Sequence, residues 1–187
     1  LHYIAKARPS SVLIVAPKRV AETVWLQEAQ KWSLDEVAAR MVIVAGTAKK
    51  RACALADTLR PSKLISRDNI KDAEGYECDL LVLDELTSFK NVLSNRSTIL
   101  QTIHARKRIG LTGTFLANGA IDIYGQMAAI GVVRADVYER RGFKWCPQFN
   151  TWRDQWFYDA LEGSGQQFHK YKLARPLDEL IATIRQC

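Results

Sequence analysis

Short apolar runs, free of alternation, constrain this chain more than any other feature. Ser11-Val-Leu-Ile-Val-Ala16, Met41-Val-Ile-Val-Ala45 and Asp79-Leu-Leu-Val-Leu83 have no polar face to offer water. A strand built from such a run is buried on both sides. Lys63-Leu-Ile-Ser66 and Lys107-Arg-Ile-Gly-Leu111 are two further, weaker candidates. Helical spacing fills the gaps between them. Val20, Val24, Ala29 and Trp32 space out a helix over 18–32, and Thr47 is a suitable N-cap for a helix through Leu59, with Pro61 beyond its end. Two more helices are expected from about Ser94 to His104 and from about Ala120 to Ile130. Strands alternating with helices predict an α/β fold, a parallel sheet covered on both faces. Ligands of such sheets bind at the loops after the strand carboxyl ends. Those loops are Ala16-Pro17-Lys18, Asp84-Glu85 and Thr112-Gly113-Thr114.

The chain has 187 residues, 48% apolar and 25% charged, which excludes a disordered tail or a disulfide-dense mini-protein. Its net charge is +7 and its pI about 9.3, so a polyanion, nucleic acid first, is the expected partner class. Cys53, Cys78, Cys146 and Cys187 form no Cys-x-x-Cys pair, and His2, His104 and His169 are scattered. This is neither a zinc pattern nor a disulfide framework, and it suits a reducing compartment. No apolar run approaches a membrane span and no signal peptide is read, so the chain is expected in the cytoplasm.

Asp84 and Glu85 directly follow the run Leu80–Leu83. Adjacent carboxylates on a rigid strand end suit a magnesium–nucleotide site. One holds the cation, directly or through water, and the other polarises a water against a terminal phosphoryl group. Taken alone, an Asp-Glu pair equally well ends a strand at a solvated loop.

The context is more specific. Leu81-Val-Leu-Asp-Glu-Leu-Thr-Ser-Phe-Lys-Asn91 is followed by Arg108-Ile-Gly-Leu-Thr-Gly-Thr-Phe-Leu-Ala-Asn118. Together they resemble motifs II and III of the Swi/Snf-like branch of superfamily 2 helicases and translocases. Val12-Leu-Ile-Val-Ala-Pro-Lys18, with Trp25 and Trp32 downstream, is similar to motif Ia, and Lys63-Leu-Ile-Ser-Arg-Asp-Asn-Ile70 to motif Ib. The resemblance covers residues 1–130 or so and implies the first RecA-like lobe, a P-loop NTPase fold, of an ATP-driven motor on double-stranded DNA. By that resemblance Asp84 is the magnesium-side carboxylate and Glu85 the catalytic base. Thr112, Gly113 and Thr114 join the two acids around ATP and Mg2+. Pro17, Lys18, Arg67, Lys90, Asn91 and Asn118 lie along the nucleic acid. The expected origin is bacterial or phage.

Three departures qualify the resemblance. Leu86-Thr87 stands where relatives commonly carry Ala-His, and Phe115 replaces a proline, so its loop is expected to be held by packing. None of the ten glycines precedes a lysine, so no phosphate loop is present. Leu1–Arg8 reads as the tail of the helix such a loop would open. The expectation is therefore a fragment that starts just downstream of the cradle, lacks the second lobe with its arginine finger, and is inactive alone. Two alternatives stay open: a non-catalytic DNA-binding module on a helicase scaffold, and the motor subunit of a restriction or repair complex.

The split expected is a partial RecA-like domain over 1–133 and a helical, aromatic-rich extension over 134–187. Ten of the 17 aromatic residues fall between Tyr138 and Tyr171, with Arg140, Arg141 and Lys144 among them. Packing into a small helical core is the simpler reading, the three cations being candidate phosphate contacts.

Overall fold

The computed structural model describes residues 1–116, 119–161 and 170–185. They form two compact units, one of Leu1–Leu86 with Asn95–Gly113, the other of Thr87–Ser94 with the residues from Thr114 on. Among the described residues no helix is long and apolar enough to cross a membrane.

The first unit is a five-stranded, wholly parallel sheet. Its strands are β1 (Val12–Ala16), β2 (Met41–Val44), β3 (Ser62–Ser66), β4 (Glu77–Asp84) and β5 (His104–Leu111), in the order β2-β3-β1-β4-β5. Every residue of β1 and β3 is buried. Leu13, Ile14, Leu64, Leu81 and Leu83 are fully enclosed, each contributing about 1.5–3 kcal/mol by leaving water. The α/β expectation is met, and β4 and β5 extend further toward their amino ends than their apolar runs suggested.

The helices of this unit are α1 (His2–Ala7), α2 (Trp25–Lys31), α3 (Asp35–Ala39), α4 (Ala48–Ala56) and α5 (Asn95–Thr102). A π-helical turn, Val20–Val24, leads into α2. Its i→i+5 bonding shifts the phase of α2 relative to an unbroken α-helix. The buried stripe is therefore Ala21, Trp25 and Ala29, not the Val20, Val24 and Trp32 expected from spacing. Trp32 lies exposed, its indole N–H donating to Glu28 Oε2 at 2.8 Å.

Thr47 caps α4 as expected, its hydroxyl accepting from the Lys50 N–H at 3.4 Å. The helix stops at Ala56 rather than Leu59. Asp57 ends it by accepting from the backbone N–H groups of Leu59 (2.9 Å) and Arg60 (3.1 Å), a local turn that competes with further helix. Lys63, 1% exposed, closes the same turn from within the sheet. Its ammonium donates to the carbonyls of Asp57 and Arg60, the latter at 2.8 Å, and burial lowers its pKa.

At the same amino edge of the sheet Asp79 Oδ2 accepts from the backbone N–H groups of Ser10 (2.8 Å) and Ser11 (3.3 Å), tying the start of β1 to β4. These bonds, aided by Arg106, hold its carboxyl below the ordinary range.

The second unit contains α6 (Ile123–Ala129), β6 (Tyr138–Arg140), β7 (Phe143–Trp145), α7 (Pro147–Trp156), β8 (Phe157–Asp159), β9 (Tyr171–Leu173) and α8 (Leu177–Arg185). Strands β6 and β7 pair as one antiparallel hairpin, and β8 and β9 form a second antiparallel pair. All seven residues of α6 are buried, as suits a helix apolar but for Gln126. Two small cores flank it: Val92, Tyr124, Ala128, Ala135 and Cys146 in one, Ile123, Met127, Trp156, Phe157 and Leu180 in the other. Burial pushes the Tyr124 hydroxyl pKa up. A side chain at Gly125 would collide with the Lys90 carbonyl, so glycine lets two backbones meet there. The extension expected to be helical thus carries two strand pairs besides its two helices. Antiparallel pairs of three-residue strands are too short for a reading based on period. The Gly163-Ser-Gly165 turn, His169 and Cys187 lie outside the described residues.

Both fastenings of this amino edge can be probed by stability. Lys63→Met should cost about 1–3 kcal/mol in urea melts, because two carbonyls of a part-buried turn lose their donor. The depressed Asp79 pKa means its contribution is intact above its unfolded value of 3.8 and is lost as pH falls through the lower folded value. Asp79→Asn should therefore lower the midpoint at pH 7 and narrow its gap to wild type in acid.

Candidate functional site

All five strands point the same way, so their carboxyl ends share one edge. Pro17 and Lys18 follow β1, Arg67 follows β3, Asp84 closes β4 with Glu85 next, and Thr112 and Gly113 follow β5. In the β4–β5 ladder Asp84 stands opposite Leu111, which places Thr112 one residue beyond the acid on the neighbouring strand. The two acids and the threonine turn, 28 positions apart in sequence counted from Asp84 to Thr112, are neighbours through this register alone.

Asp84 and Glu85 are half-buried. The Trp25 indole N–H donates to Asp84 Oδ2 at 2.8 Å. That bond fixes the carboxylate's rotation and occupies one oxygen. Glu85 has φ of +65°, the left-handed region. For a residue with a Cβ this costs about 1–2 kcal/mol, and it turns the chain sharply off the strand at the second acid. Strain of this kind is concentrated at functional positions.

A cavity of 430 Å³ opens beside Asp84, lined also by Trp25, Trp32, Glu28 and His2. A roomier cleft of 760 Å³ lies at the other end of the sheet, around Asp79 and Arg106. The amino edge of a parallel sheet is not where its ligands bind, so the smaller cavity is the relevant one.

Among the described residues no three His, Cys, Asp or Glu side chains cluster as a metal cage. The donor set at Asp84-Glu85 fits magnesium bound in its usual manner, through one or two carboxylates with water and phosphate oxygens completing the shell.

Lys90, Asn91 and Thr114 belong to the second unit. The Lys90 ammonium lies 3.3 Å from Asp122 Oδ2. Asn91 Oδ1 accepts from the Leu93 N–H at 3.0 Å, an Asx turn. Thr114 is exposed, and Asn118 lies outside the described residues. The loop at Phe115 is held differently from the expectation. Its side chain is on the surface, and its carbonyl accepts from Gln126 Nε2 at 2.9 Å, from a glutamine that is fully buried.

Sequence reasoning missed Trp25 as a site residue and, in the second unit, Gln126 as the anchor of the Phe115 loop. An indole after a strand carries no sign of which acid it meets, and Gln126 sits in an otherwise apolar helix with no motif around it. Trp25→Phe keeps most of the ring volume and loses the bond to Asp84. It should cost about 1.5–3 kcal/mol, the range for a hydrogen bond to a charged group, while Trp32→Phe on the surface stays near wild type in the same melts.

Comparison with known proteins agrees with this geometry. The sequence profile of the SNF2-related domain matches residues 1–184. Protein p41 of Acyrthosiphon pisum secondary endosymbiont phage 1 is 27% identical over 189 residues, covering 91% of this chain and 37% of that protein. Helicase ssl-1 of Caenorhabditis elegans is 32% identical over 124 residues, covering 62% of this chain and 5% of its own length. The Sulfolobus solfataricus SWI2/SNF2 ATPase core, solved in complex with dsDNA, superimposes with a TM-score of 0.56 at 18% identity, covering 70% of this chain and 27% of that one. This likeness shows the RecA-like fold. The chain spans well under half the length of each of these relatives.

Proposed function

The chain belongs to the SNF2-related domain family of helicase-like ATPases, and from that membership we propose that it supplies the acidic side of a magnesium–ATP site in a motor that tracks along duplex DNA. The observation that carries the reading is the shared edge: Asp84 and Glu85 end one strand beside the Thr112 turn of the next. Magnesium–ATP, when bound, brings the terminal phosphoryl group and a cation that neutralises its charge. Asp84, one oxygen of which accepts from Trp25, would hold the cation side. Glu85 orients and deprotonates the attacking water. Thr112, Gly113 and Thr114 couple that event to the DNA track.

On the track, Pro17, Lys18 and Arg67 end neighbouring strands and suit backbone phosphate contact, which is sequence-indifferent and salt-sensitive. Lys90, Asn91 and Asn118 are assigned to the same strand contact by family resemblance.

Hydrolysis also needs a cradle for the phosphates. No glycine precedes a lysine in these 187 residues, so the chain turns over ATP only when joined by a polypeptide that supplies a Gly-Lys loop and a second lobe. The same observation favours a second reading, a DNA-binding module that has no nucleotide chemistry.

ATP hydrolysis with and without duplex DNA, measured on this chain and on the longest open reading frame that contains it, separates the two. The motor reading expects DNA-stimulated turnover in the longer product, reduced about a hundredfold or more in Glu85→Gln, the usual scale of a general base. Equal rates in the variant and the wild type would remove Glu85 from the chemistry. DNA binding without turnover in either product would establish the module.

A further inference from the structure

We propose that the β6–β7 hairpin is a stacking surface for unpaired bases, gripping a single-stranded segment of the DNA on which the domain works; this rests on the reading of DNA as the partner.

The hairpin sorts its side chains by face. Tyr138 is opposite Trp145 and Arg140 opposite Phe143, while Glu139 is opposite Lys144. Side chains alternate along a strand, so Tyr138, Arg140, Phe143 and Trp145 share one face and the Glu139–Lys144 ion pair, at 3.7 Å, lies on the other. On the first face three rings form a ladder. Tyr138 and Trp145 stack at 5.8 Å between centroids and 24° between planes, Phe143 and Trp145 at 6.2 Å and 20°.

This ladder belongs to neither core of its unit. Phe143 is 70% exposed and Tyr138 49%. Four other aromatics of the region behave as core, Tyr124, Phe149, Trp152 and Phe157 packing ring on ring within the unit, while Tyr158 is exposed with no ring partner among the described residues. Exposed rings in near-parallel array present flat π surfaces, which every nucleobase matches whatever its identity.

Charge selects the occupant. Arg140 lies on the aromatic face and Arg141 at the tip of the turn, both exposed, and among the described residues neither has an ion pair. The turn is a two-residue one with positive φ at both positions, Arg141 at 51° and Gly142 at 79°. Asparagine or glycine fits the first of these best, so arginine there is tolerated at a conformational cost. Rings flanked by unpaired guanidinium groups suit bases and phosphates of one strand, and suit poorly an apolar protein surface.

Fluorescence anisotropy at fixed salt provides the test, comparing a blunt duplex with the same duplex carrying a single-stranded tail. Wild type should prefer the tailed DNA by roughly tenfold for each base stacked. Tyr138→Ala/Phe143→Ala should lose that preference and keep its affinity for blunt duplex, with an unchanged far-UV spectrum because both rings are exposed. Arg141→Gly eases the turn, so it should melt no lower than wild type yet bind tailed DNA more weakly, a combination that a purely structural role would not produce. Equal wild-type affinity for the two DNAs, or a preference that survives in the double variant, overturns the hairpin assignment and leaves the duplex reading standing. Failure to bind either DNA overturns both. Self-association that disappears in the double variant would assign the ladder to a second copy of the chain instead and overturn the proposal.

Discussion

The parallel ladder between β4 and β5 is the constraint on which the rest depends. Its register sets Asp84 against Leu111 and so brings Thr112 alongside the acids. The register is enforced from the far side of the same strand. Leu80, Leu81 and Leu83 are buried in full against β1 and its covering helices. A slip of one residue would draw Asp79 or Asp84 into the buried span of the sheet and move the acids off Thr112. Chemistry at the edge is therefore held in place by hydrophobic burial in the middle, and the two cannot be varied independently.

The second acid shows what that anchoring makes tolerable. Glu85 sits in a backbone conformation that disfavours any side chain. Leu83 before it and Leu86 after it are both buried, so the chain is pinned on either side of the strained residue. At the other end of the strand Asp79 fastens β4 to the start of β1. The strand is thus fixed at both ends by carboxylates with different tasks, one satisfying backbone donors and the other facing the edge.

Much of the first unit was legible in the sequence because its signals are local and redundant. Three continuous apolar runs can only be buried strands, and Thr47 can be read as a cap from its position alone. The carboxyl-edge placement of Pro17, Lys18, Arg67, Asp84, Glu85 and Thr112 is then a consequence of parallel topology. What was not legible depends on contacts remote in sequence or on helix phase. The bond from Trp25 to Asp84 spans 59 positions, and the π turn that redirects Trp25 inward and leaves Trp32 outside has no marker in residue type. Gln126 is another such case, a polar side chain whose partner, the Phe115 carbonyl, lies eleven positions earlier in a loop. In the later third of the chain, β6 to β9 are three residues each, too short for a period of two to show, so they carry no strand signal and the segment reads as helix.

The indole that steadies Asp84 has a consequence beyond geometry. Tryptophan emission responds to hydrogen bonding and to charge beside the ring, and Trp25 is sheltered from solvent while bonded to the carboxylate that faces the edge. Anything that engages that carboxylate must perturb the ring. The domain accordingly carries its own optical probe, one that would report occupancy of the acidic edge in real time, without labels and without waiting for turnover.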